Sequence, residues 1–325
     1  MNWRVRIAAA LLGAAALLGA PTPVLARQAA AMPAASAYAP PVPLLWKVSG
    51  TQGSALYLLG SFHLLTAQDY PLSADVDKAF DASSRLLFEL SPEEMESPQL
   101  AARMLQAAVR TDGRQLEDDL DADTWQRLQT YAGANGLPLE RLAGLKPWFV
   151  GLSISLAQMQ RQGLDAQAGL DRHLMGRAIA ADKQAEGLES ASAQIAMLDG
   201  MDAEEQRQLL REALEQAGMG DEQSRRLHDA WRRGDDVTLW RDMAAQMRQD
   251  YPGLYRHINV ERNDAWLAPL RQRLQAGQGT TLVVVGALHL LGEDGVVEKL
   301  RADGYKVERI CSACAPTGKA AGKTR

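Results

Sequence analysis

Two histidines occupy the same local setting more than two hundred residues apart. His63 closes Gly60-Ser61-Phe62-His63 and is followed by Leu64-Leu65. His289 closes Gly286-Ala287-Leu288-His289 and is followed by Leu290-Leu291. A third reactive group, Glu89, lies near the end of the apolar run from Arg85 to Leu90. Two imidazoles and one carboxylate suit two kinds of chemistry. They can hold a divalent metal and leave positions open for water and substrate; the metal then acidifies its water and polarises a carbonyl. Without a metal, one histidine can act as a general base that Glu89 orients. The other three histidines, His173, His228 and His257, fall in helical patterns and read as surface or packing residues.

The runs before the two histidines read as buried strands. Ala55 to Gly60 and Thr280 to Gly286 are short, continuous and apolar, and a glycine ends each. Around the first, Leu44 to Val48 reads as a strand, Ser73 to about Ser83 as a helix and Arg85 to Leu90 as a strand. After the second come a loop, a helix from about Gly295 to Asp303 and the strand Lys306 to Ile310. Each copy is a β-loop-α-β unit, whose expected form is parallel strands with a right-handed crossover. The pair reads as a weak internal duplication that sets the histidines at equivalent places on one sheet. Ligands of parallel sheets lie beyond the carboxyl ends of the strands, and there both imidazoles and Glu89 are expected to converge. Residues 97–275 are mainly helical in pattern, starting with Ser97 as N-cap and Pro98 at N1. One break, Ala185 to Ser190, reads as a strand ending at Glu189. The expected fold is α/β: a central, mostly parallel sheet built from the N- and C-terminal units, with a large helical segment inserted between them.

Residues 1–26 read as a secretory signal peptide, with Arg4 and Arg6, an apolar run from Ile7 to about Ala20, and Val24-Leu25-Ala26 before the cut. The formal net charge is −5, and losing those two arginines takes it to −7. A mildly acidic chain without a Lys/Arg block argues against nucleic acid as a partner. No later stretch is long and apolar enough to span a bilayer. An exported protein with no stable membrane span is therefore expected. Residues 27–42 read as a flexible leader, 43–314 as the folded domain and 315–325 as a disordered tail. Cys311 and Cys314 follow a strand rather than open a helix, which points to a local disulfide or idle thiols and away from a redox motif.

Across residues 44 to 311 the chain resembles the TraB family, the group that takes in TraB, PrgY, GumN and the Tiki proteases. The resemblance rests on Gly60-Ser61-Phe62-His63-Leu64, Phe88-Glu89-Leu90, Lys146-Pro147-Trp148, Gly169-Leu170-Asp171 and Gly187-Leu188-Glu189 with Gln194. It continues through Glu261-Arg262-Asn263, Trp266, Gly286 to Gly292 and Gly304-Tyr305-Lys306-Val307. Ser61 replaces the commoner threonine and keeps the hydroxyl. The resemblance implies a scaffold shared with erythromycin-esterase-type hydrolases and haem-binding ChaN-like proteins. It implies a metal-dependent protease site of His63, His289 and Glu89, holding a divalent transition metal (manganese, cobalt or zinc). Arg262 and Asn263 then belong in or beside the same cleft, Arg262 to bind a substrate carboxylate or steady an oxyanion. Glu189, Gly60, Ser61 and Gly286 support the site, and Trp148 anchors the core. Together with the export signal, the resemblance implies a periplasmic location. The expected function is an exported, metal-dependent hydrolase acting on a peptide or protein. Two alternatives stand beside it: a metal-free His/Glu esterase or amidase, and a non-catalytic periplasmic protein that binds haem, metal or peptide.

Overall fold

Six strands form one sheet in the order β4-β3-β5-β2-β1-β6. In chain order they are β1 (Leu45–Ser49), β2 (Ala55–Ser61), β3 (Arg85–Phe88), β4 (Gln184–Gly187), β5 (Thr280–Gly286) and β6 (Lys306–Arg309). The computed structural model describes residues 39–220, 222–277 and 279–314. The segments read as signal peptide, most of the leader and the C-terminal tail lie outside the described residues.

β5 is the central strand. It pairs in parallel with β2 on one side and β3 on the other, and β3 pairs in parallel with β4. Only β1 runs against the rest, because the turn through Thr51–Gly53 returns the chain as a hairpin between β1 and β2. The continuous apolar character of Thr280 to Gly286 follows from this position. Both edges of β5 are paired and six of its seven residues are buried, so no polar alternation is possible. The two Gly-x-x-His copies thus end neighbouring parallel strands. Their register is offset by one residue: Gly60 faces Val285, and Gly286 faces Ser61.

The longer helices are α1 (Ala74–Ala82), α2 (Leu100–Ala108), α3 (Ala122–Ala134), α4 (Pro147–Arg161) and α5 (Leu170–Ala180). They continue with α6 (Ala191–Asp199), α7 (Ala203–Gly218), α8 (Glu222–Arg233), α9 (Glu261–Gln275) and α10 (Val296–Ala302). α1 packs on β5 and α9 on β2. The inserted segment has a small core of its own, where Leu128 of α3, Val150 and Ile154 of α4, and Leu210 and Leu214 of α7 meet. Gly151 lets α4 and α7 cross closely, since a Cβ there would stand 3.0 Å from the Leu210 Cα. Several expected boundaries move: β3 stops at Phe88 and β4 at Gly187, so Glu89 and Glu189 lie just past their strands, and the helix expected from Ser97 starts later. Ser97 does not cap a long helix; it opens a turn whose carbonyl accepts from Leu100 N at 3.0 Å, and α2 begins at Leu100. Ser91 caps a separate short helix, Pro92–Met95, accepting from Glu94 N at 3.3 Å with Pro92 at N1.

The described termini are fastened to the body. Val42 N donates to Arg232 O at 2.8 Å, and Ser73 N donates to Pro41 O at 2.9 Å. At the other end Cys311 and Cys314 form a disulfide, and Ser312 between them donates through its backbone N and Oγ to Asp75 of α1.

Candidate active site

The pairing of β3 with β4 sets up the electrostatics of the site. The two strands run in parallel with Phe88 opposite Gly187, and the pairing continues past their ends, where Glu189 N donates to Glu89 O at 3.0 Å. Two carboxylates are therefore held side by side by backbone bonds. Both are poorly exposed, and like charges so placed need a cation between them. Arg262, in the first turn of α9, is that cation. Its Nη2 donates to Glu89 Oε2 at 2.5 Å and to Glu189 Oε1, and its Nε donates to Glu189 at 3.1 Å. Gln194 of α6 completes the brace, donating to Glu189 Oε1 at 2.7 Å.

The other oxygen of Glu89 faces the histidines. Glu89 Oε1 accepts from Gly286 N at 2.8 Å. It lies 3.8 Å from His63 Nε2 and 3.9 Å from His289 Nε2. Gly286 leaves this space clear, since a Cβ would stand 3.2 Å from both Glu89 Oε1 and His63 Nε2 and would press on both. Gly60 is needed for packing, its Cβ position lying 3.2 Å from Ala287 and Leu44, while its carbonyl accepts from Trp231 Nε1 at 3.0 Å. Ser61 is buried, and its Oγ has no hydrogen-bond partner.

Each histidine is anchored through Nδ1. His63 Nδ1 meets Asp171 Oδ2 at 2.7 Å, and His289 Nδ1 meets Asn263 Oδ1 at 2.7 Å. The tautomer of His289 follows from its neighbours. Arg262 Nη1 lies 3.0 Å from His289 Nε2 and can only donate, so Nε2 must carry the lone pair and Nδ1 the proton. Asn263 accordingly accepts with Oδ1, leaving its Nδ2 to donate to Asp294 O at 2.8 Å. The Trp266 ring covers His289 at 4.6 Å between centroids, and the Arg262 guanidinium lies over the same indole at 5.0 Å.

Charge states follow the same geometry. Burial and the Arg262 charge push His289 down to about 3, so it is neutral in ordinary buffers. Burial also disfavours a charged His63, but the Asp171 carboxylate outweighs it and the net direction is upward. Burial would raise Glu89; Arg262 and the two imidazoles overcome that and hold it well below the usual carboxylate range. Arg262 is raised above its already high value by Glu89 and Glu189, against the effect of burial.

His63, Glu89, His289, Arg262, Asn263, Glu189 and Gly286 thus share one place at the carboxyl ends of β2, β3 and β5. The remaining three histidines lie elsewhere: His173 stacks on Tyr70 at 4.2 Å, His228 meets Asp69 Oδ2 at 2.9 Å, and His257 meets Glu205 at 3.3 Å. Trp148 is fully buried, with Nε1 donating to Asp199. Asn263 is not a helix cap; its side chain is spent on His289 and Asp294. Sequence reasoning left three residues of the site without a role: Gln194, Trp266 and Asp171. The signal for Asp171 was the Gly169-Leu170-Asp171 motif, but nothing local links it to a histidine 108 positions earlier.

The donor set can be tested against a divalent metal. Among the described residues no group of three or more His, Cys, Asp and Glu is gathered as a ready metal cage. The chemistry nonetheless fits. Both imidazoles are fixed through Nδ1 and turn Nε2 inward, the usual arrangement behind metal-bound histidine. Separations of 3.8 and 3.9 Å from Nε2 to Oε1 exceed hydrogen-bond reach yet remain within what two ligands at about 2.0–2.2 Å from one ion can span. Arg262 Nη1 must give up His289 Nε2 for the ion to use it.

No solved structure matches the chain significantly. Among curated proteins it is similar to the uncharacterized protein YbaP of Escherichia coli (strain K12), 26% identical over 250 residues that cover 75% of this chain and 87% of that protein. YbaP of Shigella flexneri matches to the same extent. The TraB/PrgY/gumN family model matches residues 44–309, from the start of β1 to the end of β6, and takes in every side chain of the site. The chain belongs to the TraB/PrgY/gumN family.

Proposed function

We propose that this chain is an exported, divalent-metal-dependent hydrolase that cleaves amide bonds of a peptide or protein, with its reaction centre at His63, Glu89, His289 and Arg262. The observation that carries the reading is the pair of inward Nε2 atoms that face one carboxylate oxygen at 3.8 and 3.9 Å. That gap is too long for direct hydrogen bonds and suits a small guest shared by all three groups. His63 and His289 would hold the ion through Nε2 and Glu89 through Oε1. When bound, the ion supplies an acidified water and a Lewis acid for the scissile carbonyl.

The chain's own groups do the rest. Asp171 and Asn263 occupy the Nδ1 atoms, so each ring offers one nitrogen in one direction. Glu89 stays ionised beside Arg262, so its Oε1 keeps the negative charge that an anionic ligand needs. Arg262 brings a permanent positive charge to where negative charge develops as an amide carbonyl becomes tetrahedral. The low exposure of all four groups keeps bulk water from screening them.

One observation favours a second reading. Arg262 already places a cation against Glu89 Oε2 and His289 Nε2. A metal-free esterase or amidase would use that charge directly, with His63 as base. The two readings separate in one experiment. The purified protein is reconstituted with manganese, cobalt or zinc, and its metal content and cleavage of a denatured polypeptide are measured with and without chelator. The metal reading expects about one ion per chain, lost in both His63→Ala and His289→Ala, and cleavage that the chelator stops. Equal metal content in parent and variants ends it, and cleavage that survives the chelator selects the second reading.

A further inference from the structure

The two Gly-x-x-His devices are alike in sequence but backed by different chemistry. Behind His289 stands an amide, Asn263, and behind His63 stands a carboxylate, Asp171, each at 2.7 Å from Nδ1. We infer that Asp171 is a positioning residue that locks His63 into the Nδ1–H form and directs its bare Nε2 at Glu89 and the reacting groups. The inference rests on the hydrolase reading above for its catalytic consequence, though not for its physical content.

Three observations carry it. First, an ionised carboxylate only accepts, so a 2.7 Å contact with Asp171 requires the proton on His63 Nδ1. An amide in the same place can accept or donate, and Asn263 is restrained to accepting only because Asp294 O takes its Nδ2. No such restraint is needed for Asp171, whose chemistry alone settles the direction.

Second, the contact is built into the backbone. Leu170 N donates to Phe62 O at 3.1 Å, and Leu65 and Asp165 exchange backbone bonds at 3.2 and 2.8 Å. Residues 165–170 are therefore stitched along 62–65, and α5 starts directly against the histidine loop. Gly169, the N-cap of α5, permits this approach: a Cβ there would stand 2.1 Å from His63 O. Any side chain at position 169 would push α5, and Asp171 with it, away from the imidazole.

Third, Asp171 is buried beside a ring that is itself buried. Burying a carboxylate is costly unless it is paired and hydrogen-bonded. Its placement in the first turn of α5 offsets part of that cost through the helix dipole, and the hydrogen bond with the His63 ring offsets more. A buried carboxylate whose Oδ2 meets His63 Nδ1 acts through His63 and not on substrate.

The test needs no substrate. Protein made with nitrogen-15 histidine and kept metal-free is studied by long-range proton–nitrogen NMR, at a pH where His63 has lost its second proton. With five histidines in the chain, a His63→Gln variant assigns the signal. The parent is expected to show His63 protonated at Nδ1 only. Asp171→Asn, close in shape, is expected to lose that single form and show a mixture of tautomers or the Nε2–H form. Where a substrate is cleaved, kcat should fall about 10- to 100-fold with KM nearly unchanged, the range found when the support of a histidine is removed. An Nε2–H signal in the parent overturns the inference without any variant, so a failure of Asp171→Asn to fold leaves it testable. An unchanged His63 signal in a folded Asp171→Asn protein overturns it too. Absence of any hydrolysis would count against the hydrolase reading alone and would leave the NMR result standing.

Discussion

Arg262→Met is the most informative single perturbation of the site. The change keeps an aliphatic stem to cover Trp266 and removes the charge. The Arg262 side chain is 10% exposed, against 5% for Glu89 and 13% for Glu189, so both acids would be left without their cation and almost without water. Breaking a buried pair in this way typically costs about 3–5 kcal/mol, whereas an exposed pair is worth about 1 kcal/mol or less. The upper part of the buried range is expected, because two acids lose one shared partner. Urea denaturation at pH 7 measures the difference through the midpoints.

Acidification supplies the sign. In the parent, Glu89 is held below its ordinary value, so its stabilising contribution is complete above that value and is lost as pH falls through the depressed one. In the variant, burial acts without Arg262 to oppose it and Glu89 shifts upward, so protonation relieves the variant. The gap between the two proteins should narrow as pH falls. Adding Glu89→Gln and Glu189→Gln to Arg262→Met should recover much of the loss, since no buried charge remains unpaired. A cost below about 1 kcal/mol that does not change with pH would mean that Arg262 is solvated. The account of the site as a closed charge cluster would then be wrong.

Other outcomes follow from neighbouring features. Ser61→Ala should leave stability unchanged or slightly improved, because the lost Oγ is buried without a partner; a tenfold fall in turnover with unchanged stability would instead place that hydroxyl on the substrate. Asp69 is fully buried, and although burial pushes it up, hydrogen bonds from His228 and Thr66 hold it at about 2 against an ordinary 3.8. Its contribution should be complete above about pH 4 and vanish as pH falls to 2, so the urea midpoints of the parent and Asp69→Asn should converge over that window. A constant separation across it would show that Asp69 contributes nothing through ionisation.

Much of the architecture was legible in the chain because its causes are local. The short, β-branched run Thr280 to Gly286 reads as a strand buried on both faces, and it pairs with β2 and β3 inside the sheet. The repeated glycine-then-histidine pattern marks strand ends, because a strand that stops at a ligand site needs a residue without Cβ where side chains converge. Gly286 shows this directly, with Glu89 and His63 at its missing Cβ. Local signals were weaker where competing turns existed, and the start of α2 moved from Ser97 to Leu100 for that reason.

The sequence by itself determined which residue types were at hand: two matched histidines, a carboxylate at a strand end and an Arg-Asn pair 26 residues before the second histidine. Only the tertiary structure decided how they share the work. Parallel pairing of β3 with β4 brings Glu189 beside Glu89, and this makes Arg262 an internal counter-ion and not a surface charge. The docking of α5 on the loop after β2 gives His63 an acid where His289 has an amide. These relations join positions tens to hundreds of residues apart. Charge pairing and hydrogen bonding depend on distance in space, which a linear pattern of residue types does not carry.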